Sequence, residues 1–441
     1  MDGGVKVNKW GYEVRTSSDA CISAINDFYY QVLIYGRKRS VILEATVHDK
    51  DCVLANILAA HILYTNPSRA RSHLQAAESR LEQATRYEKA VFDATSSLIS
   101  ENRDDDVAFE LHSKLLKEFP KDLVSLKRAQ VLCFYMGRPD LSLSLVQQVL
   151  PENQEEDYIY GMLAFPLLEL GQMADAEKAA KRAYKINKQD FWAQHALCHV
   201  LQYECHFKEA VAFMEGCSSS WSSCSSFMLT HNWWHVALCY LEGHSPIQKV
   251  LELYDQFIWK ELEKVDAIYP ESYWYLEWHF DLLILWALAY TNEISEAEDL
   301  LGALKSRVAK MSKKKQQLMQ RGILLAESLF EYGRGNDKRA LELLGPAFDA
   351  NDLKMIGASE EQLDVFNEMW YCMLLNTGQA TKAIEVLEKR IKKREGVPFL
   401  WRLLERGYNM IGKQEEAATV GEKAKVLENT YFKQPVGFTT I

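Results

Sequence analysis

Residues 157–190 read DYIYGMLAFPLLEL-G-QMADAEKAAKRAYKINKQD, and this stretch decides the fold. Tyr160, Leu163, Ala164 and Leu167 recur at helical spacing, which predicts a helix from Tyr158 to Leu170. Gly171 follows, the residue that ends a helix in a left-handed turn without a side-chain clash. A second helix from about Asp175 carries Ala176, Ala180 and Ala183, side chains small enough for two helices to approach closely. Ala176 belongs to a ladder: Ala108, Ser142, Ala176 and Ala210 stand 34 residues apart. After Val250, Ala297 and Ala340 the interval of 34 returns between Ala383 and Ala417. Gly137, Gly171, Gly335, Gly378 and Gly412 each lie five residues before a rung, and Tyr160, Trp234 and Trp401 sixteen before. One turn and two amphipathic halves at this period predict an all-α chain of helix–turn–helix units stacked into a solenoid.

The interval extends from residue 89 to residue 429, and several middle units are stretched to 40–47 residues. Serine-rich 217–226 reads as one inserted loop, because its hydroxyls compete for backbone hydrogen bonds. Residues 1–88 fit the repeat poorly and are expected to form an N-terminal helical cap. Thr16-Ser17-Ser18-Asp19 would cap a helix running towards Tyr35, with further helices over 50–64 and 68–100. Residues 430–441 are expected to be an extended tail, ending in Thr439-Thr440-Ile441, a weak match to a PDZ ligand.

Composition narrows the class further. The net charge is −10 with acids and bases interspersed, so no basic stripe marks a nucleic-acid surface, and nucleic acid is not expected as a partner. No apolar run reaches the length of a membrane span, and Met1-Asp2-Gly3-Gly4-Val5-Lys6 lacks the apolar core of a secretory leader, so neither membrane nor export is expected. Nine cysteines, an odd number in apolar helical stretches, read as buried thiols of a reducing compartment; a cytoplasmic location follows as the expectation.

The Trp–Leu–Gly–Tyr…Ala pattern at this period resembles the tetratricopeptide repeat, which implies a right-handed superhelix. Three segments resemble a narrower group, the tetratricopeptide repeat protein 38 family. They are Trp10-Gly11 through Thr16-Ser17-Ser18-Asp19, the run from Trp192 to Val200, and His231-Asn232-Trp233-Trp234-His235-Val236-Ala237-Leu238. The resemblance brings no established activity with it. It is broken at Glu271-Ser272-Tyr273-Trp274, which leads into Trp278-His279-Phe280 where the family tends towards a Trp-Arg-Leu run.

The chemistry concentrates in the middle of the chain. His195 and His199, and likewise His231 and His235, are four apart and so share a helix face. His195 lies fifteen residues before Ala210 and His235 fifteen before Val250, so both pairs stand on corresponding helices of successive units. Packed helices lie about 8–10 Å apart, close enough for these imidazoles to meet on the concave side. Seven of 11 histidines lie between His195 and His279, and eight of 11 tryptophans between Trp192 and Trp286, a concentration that supports a shared pocket beside the packing reading. Trp192, Asn232, Trp278 and His279 are its other expected lining, with Tyr273, Trp274 and Glu277 nearby.

Three readings stay open at this stage. Four imidazoles suit a divalent metal such as zinc. The same rings suit general acid–base work, which would make the chain an enzyme. They also suit hydrogen-bonded packing. The leading expectation is a binding scaffold that takes a protein, a peptide or a small molecule in a His/Trp-lined concave groove. An enzyme using the same pocket, with or without a metal, is the alternative. Phosphate-binding loops, Gly-x-Ser-x-Gly and His-Glu-x-x-His strings are absent from the sequence.

Overall fold

The computed structural model describes residues 4–64, 66–100, 103–263 and 273–432, with residues 262 and 273–277 described by backbone alone. The expected tail from residue 433 onward, with Thr439–Ile441, lies outside the described residues. So do Glu271 and Ser272, and the side chains of Tyr273, Trp274 and Glu277.

The rungs of the ladder are all helical and all buried. Ala108, Ala176, Ala210, Ala297, Ala340 and Ala383 are 0% exposed, Ala417 2%, Ser142 5% and Val250 8%. A side chain of this size lets the second helix of a hairpin lie against its neighbours, so the interval is imposed by packing. The five glycines five residues before a rung all have positive φ, from 65 to 81°. At Gly171 the turn closes with Gln172 N–H donating to Leu167 O (2.9 Å) and Gly171 N–H to Leu168 O (2.9 Å), the paired bonds that satisfy the last carbonyls of a helix. The same pair recurs without glycine at Cys205, His244 and Asn292, with φ of 63, 60 and 66°. There His206 donates to Leu201 O (2.7 Å), Ser245 to Tyr240 O (2.9 Å) and Glu293 to Leu288 O (2.9 Å). These repeated hairpins make the chain an all-α protein of tetratricopeptide-like helix–turn–helix units.

The chain divides into two compact units. The first takes in the described parts of Met1–Leu197, Cys217–His231 and Glu261–Ser272. It opens on a two-stranded antiparallel ribbon, Val5–Val7 with Glu13–Arg15, which the helical reading of residues 1–88 did not anticipate. Strands of three residues are too short to show an alternating pattern. Helix Asp19–Leu33 starts where expected, with Ser18 Oγ accepting from Cys21 N–H (3.1 Å). The helix expected over 68–100 is instead two, Pro67–Glu78 and Arg86–Ile99. Thr85 and Glu88 form a reciprocal cap that starts the second. Buried Glu88 also accepts from Arg15 N–H (3.1 Å), which ties the ribbon to this helix. The core running through the first unit gathers Trp10, Phe28, Tyr87, Leu126, Ile159 and Ala193. The serine-rich stretch is a 3₁₀ helix, Ser218–Ser223, rather than a loop. Its Trp221 is buried and donates from Nε1 to Gln194 Oε1 (2.7 Å), which draws the segment inward.

The second unit takes in Cys198–Gly216, Asn232–Lys260 and the described part of Tyr273–Ile441. It holds the hairpins from Ile294–Ala309 to Gln414–Thr430. Its centre is ionic. Buried Arg394 pairs with Asp364 (3.1 Å) and Glu242 (2.5 Å) and donates to Gln202 O (3.1 Å). Arg390 also pairs with Asp364 (2.7 Å) and with Glu360 (3.2 Å). Removing one partner would strand buried charge, at a cost of about 3–5 kcal/mol.

Candidate metal centre

Two helices carry the four histidines: Phe191–Tyr203 bears His195 and His199, and Ser226–Glu242 bears His231 and His235. Within each helix the two imidazoles are one turn apart, so continuous helix geometry fixes their spacing. One ring nitrogen from each of the four lies within 4.8 Å of the other three. The upper pair meets nitrogen to nitrogen, His195 Nε2 to His231 Nε2 at 2.9 Å. The lower pair, His199 and His235, has ring centroids 4.1 Å apart.

The lower pair is held from behind. His199 Nδ1 hydrogen-bonds Glu361 Oε1, and that oxygen also accepts from Ser359 Oγ (2.9 Å). His235 Nδ1 lies 3.3 Å from Gln202 Oε1, while Gln202 Nε2 donates to Glu242 Oε1 (3.2 Å). Because Gln202 spends its amide on a carboxylate, its carbonyl faces His235, and His235 must donate from Nδ1. An ionised Glu361 accepts only, so His199 also carries its proton on Nδ1. In that tautomer both rings keep the lone pair on Nε2 and can offer that nitrogen to a metal.

The upper pair is held by aromatic stacking. Trp192 stacks on His195 with centroids 4.6 Å apart, and Phe165 lies 5.8 Å from the same ring. Phe227 stacks on His231 at 5.2 Å. Tyr35 stacks on Trp192 at 5.2 Å, and Lys127 Nζ sits 3.2 Å from the Tyr35 centroid while donating to Val32 O (2.6 Å). Asp190 caps the helix that carries Trp192, accepting from Ala193 N–H (3.0 Å). Burial pushes the Asp190 carboxyl up to about 7. A Cβ at Gly161 would stand 2.7 Å from Asp190 Oδ2, so glycine is what lets the cap sit there.

The other expected lining residues are placed as follows. Asn232 is 0% exposed, and neither atom of its carboxamide has a hydrogen-bond partner among the described residues. His279 is buried, packs edge-on to Phe366, and has Nε2 3.3 Å from Gln362 O. Burial pushes its pKa down to about 4, so it is neutral at pH 7. Trp278 is half-buried under the Arg307 guanidinium, 5.2 Å away, on another face of the same helix. Neither His279 nor Trp278 joins the four-nitrogen group.

Burial departs from the expectation of an open concave surface: His195, His199, His231 and His235 are 1, 1, 8 and 0% exposed. Aromatic rings stack on the upper pair and the Glu361 side closes on the lower one. Two surface depressions, about 430 Å³ beside Arg402 and Arg406 and about 230 Å³ beside Trp286 and Tyr290, involve none of the histidines. Sequence reading missed Glu361, Gln202, Phe165 and Tyr35. Only Gln202, one turn beyond His199 on the same helix, carried a local signal.

Fold and site together define a tetratricopeptide-like helical-repeat protein with a buried four-histidine cluster. No family model matches the chain. Similar solved structures include human IFIT1 as a dimer with PPP-AAAA, at 16% identity and a TM-score of 0.41, covering 92% of this chain and 89% of that one. Human IFIT1 with m7Gppp-AAAA is similar at 16% identity and 0.42, covering 93% and 91%. The P58(IPK) TPR domain is similar at 14% identity and 0.23, covering 79% of this chain and all of that one. At these scores the likeness says nothing about what this chain binds. The expectation that excludes nucleic acid as a partner is withdrawn: human IFIT1 carries PPP-AAAA in one of these structures and m7Gppp-AAAA in another, so a fold of this class does not exclude such a partner. The physical error lay in the charge argument: acids and bases interspersed along a chain can still be sorted onto different faces when it folds, so neither the net charge of −10 nor the order in sequence describes a local surface. No helix among the described residues is long and apolar enough to cross a membrane. All nine cysteines are thiols, eight of them buried.

Proposed function

We propose that this chain is a helical-repeat binding protein that holds one divalent transition-metal ion, of the zinc class, on His195, His199, His231 and His235. The observation that carries the reading is the convergence of four ring nitrogens, two of them on rings backed by hydrogen-bond acceptors. His199 and His235, held in one tautomer with the lone pair of each on Nε2, suit ligation, since a metal-bound imidazole ordinarily donates its other N–H to such an acceptor. Four protein ligands in a buried place make a closed site, the type that holds structure together, whereas hydrolytic zinc keeps a position open for water. That favours a binding protein over an enzyme. The likeness to the tetratricopeptide repeat protein 38 family belongs to the same reading, since its His-Asn-Trp-Trp-His string supplies His231, Asn232 and His235. Elemental analysis of protein purified without a histidine tag is the test. One equivalent of metal per chain is expected, lost in His195→Ala and in His235→Ala. Metal-free protein that takes up no zinc, cobalt, nickel or copper on titration would end the reading.

A further inference from the structure

Beside the four histidines proposed to hold the metal lies a buried carboxylate. Resting on that reading, we infer that Glu361 is the residue that tunes the site: it holds the His199 proton on Nδ1, makes Nε2 the ligand atom, and supplies the negative charge beside four neutral imidazoles.

Glu361 is the second residue of helix Glu360–Asn376, where an acidic side chain ordinarily lies in water and favours the helix dipole. Its neighbour Glu360 does the ordinary thing for this protein and pairs with Arg390 (3.2 Å). Glu361 instead turns inward, and its side chain is 1% exposed. Burying a carboxylate costs several kcal/mol unless its oxygens are satisfied. The compensation comes from His199 Nδ1 and from Ser359 Oγ (2.9 Å). Arg390, on helix Ala380–Ile391, and Arg394, in the turn that follows it, are spent on Asp364, Glu360 and Glu242. The carboxylate is therefore matched to the imidazole. A metal-bound imidazole with a carboxylate on its other nitrogen is a fixed, more basic ligand, and losing such a carboxylate typically weakens metal affinity about 10–100-fold. A cation on four neutral nitrogens also keeps its full charge, which a buried carboxylate within one ring of it partly offsets.

The test is zinc affinity by competition with a chromophoric chelator, on the full chain, for the wild type, Glu361→Gln and Glu360→Gln. Gln keeps the shape and a weaker acceptor but removes the charge. Glu361→Gln is expected to bind about 10–100-fold more weakly at unchanged stoichiometry, and the visible bands of its cobalt(II) form should shift. Glu360→Gln, which removes a charge one residue away without touching His199, should bind like the wild type. Equal affinity of Glu361→Gln and the wild type overturns the role of Glu361 while leaving the metal site standing. A wild type that binds no metal overturns both. Should Glu361→Gln fail to fold, ¹⁵N NMR of the wild-type zinc form decides. A protected His199 Nδ1–H supports the assignment, and coordination through Nδ1 overturns it.

Discussion

Filling a site that the unfolded chain lacks must raise stability, and the size of the rise can be worked out. Zinc–imidazole bonds of about 2.0–2.1 Å in a tetrahedron put the nitrogens about 3.3 Å apart. The upper pair already stands at 2.9 Å, and the widest separation in the group is at most 4.8 Å. The farthest rings must therefore close by at most about 1.5 Å, a change of side-chain torsions costing on the order of 0.5–1.5 kcal/mol per ring. The dissociation constant already contains this cost, so it is not subtracted again. At free metal a hundred times the dissociation constant the folded state gains about 2.7 kcal/mol. For units of this size each kcal/mol moves the midpoint by about 2–4 °C, so a rise of roughly 5–10 °C is expected. Calorimetry of tag-free protein in chelator and in excess zinc measures it. His195→Ala and His235→Ala each remove one ligand and should lose the metal-dependent part of the rise. Comparing with and without metal inside each variant cancels the packing lost with the ring. A wild-type midpoint that zinc, cobalt, nickel and copper all leave unmoved refutes the reasoning.

Two further outcomes bear on the scaffold that holds the site. Ala176 is fully buried between helices, so Ala176→Leu overpacks the hairpin and should lower the unfolding free energy by about 1–3 kcal/mol in urea melts followed by circular dichroism. For Asp190 the sign runs from a folded pKa near 7, raised by burial, against about 3.9 in the unfolded chain. Between these values the folded form keeps a proton the unfolded form has lost, so this group's contribution falls as pH rises from about 4 to about 7. Asp190→Asn should flatten that part of the stability profile relative to wild type, and parallel profiles would show that the carboxyl is not buried neutral.

How far the sequence could be read depended on the range of the interactions. The ladder from Ala108 to Ala417 was legible because each rung answers to its own hairpin, and each proves buried. That the two histidine pairs face one another was legible from their phase, but phase matched His195 with His235, whereas the structure sets His195 beside His231, one helical turn away. The ribbon of Val5–Val7 and Glu13–Arg15 was not, being too short to leave a pattern. Glu361 was out of reach because it meets His199 across 162 residues, and no periodicity relates the two. Trp278 was misjudged by one residue of helix rotation: its neighbour His279 is buried and Trp278 turns towards Arg307. The left-handed turns at Cys205 and Asn292 could have been found by counting five back from Ala210 and Ala297, had glycine not been the only signal sought.

Those three glycine-free turns bear on how an ion would come and go. Rings 0–8% exposed do not meet solvent directly, so entry waits on a local opening of the protein. The helices that carry His195 and His199, His231 and His235, and His279 each run into such a turn, at Cys205, His244 and Asn292. A side chain held left-handed costs about 1–2 kcal/mol, and less for asparagine, which opening gives back. The hairpins around the cluster therefore carry turn strain that parting would relieve, whereas those closed on Gly378 and Gly412 carry none at the turn. Ion exchange would then keep the time of hairpin breathing rather than of diffusion, and a chelator in solution would strip the site at a rate that no longer depends on how much chelator is added.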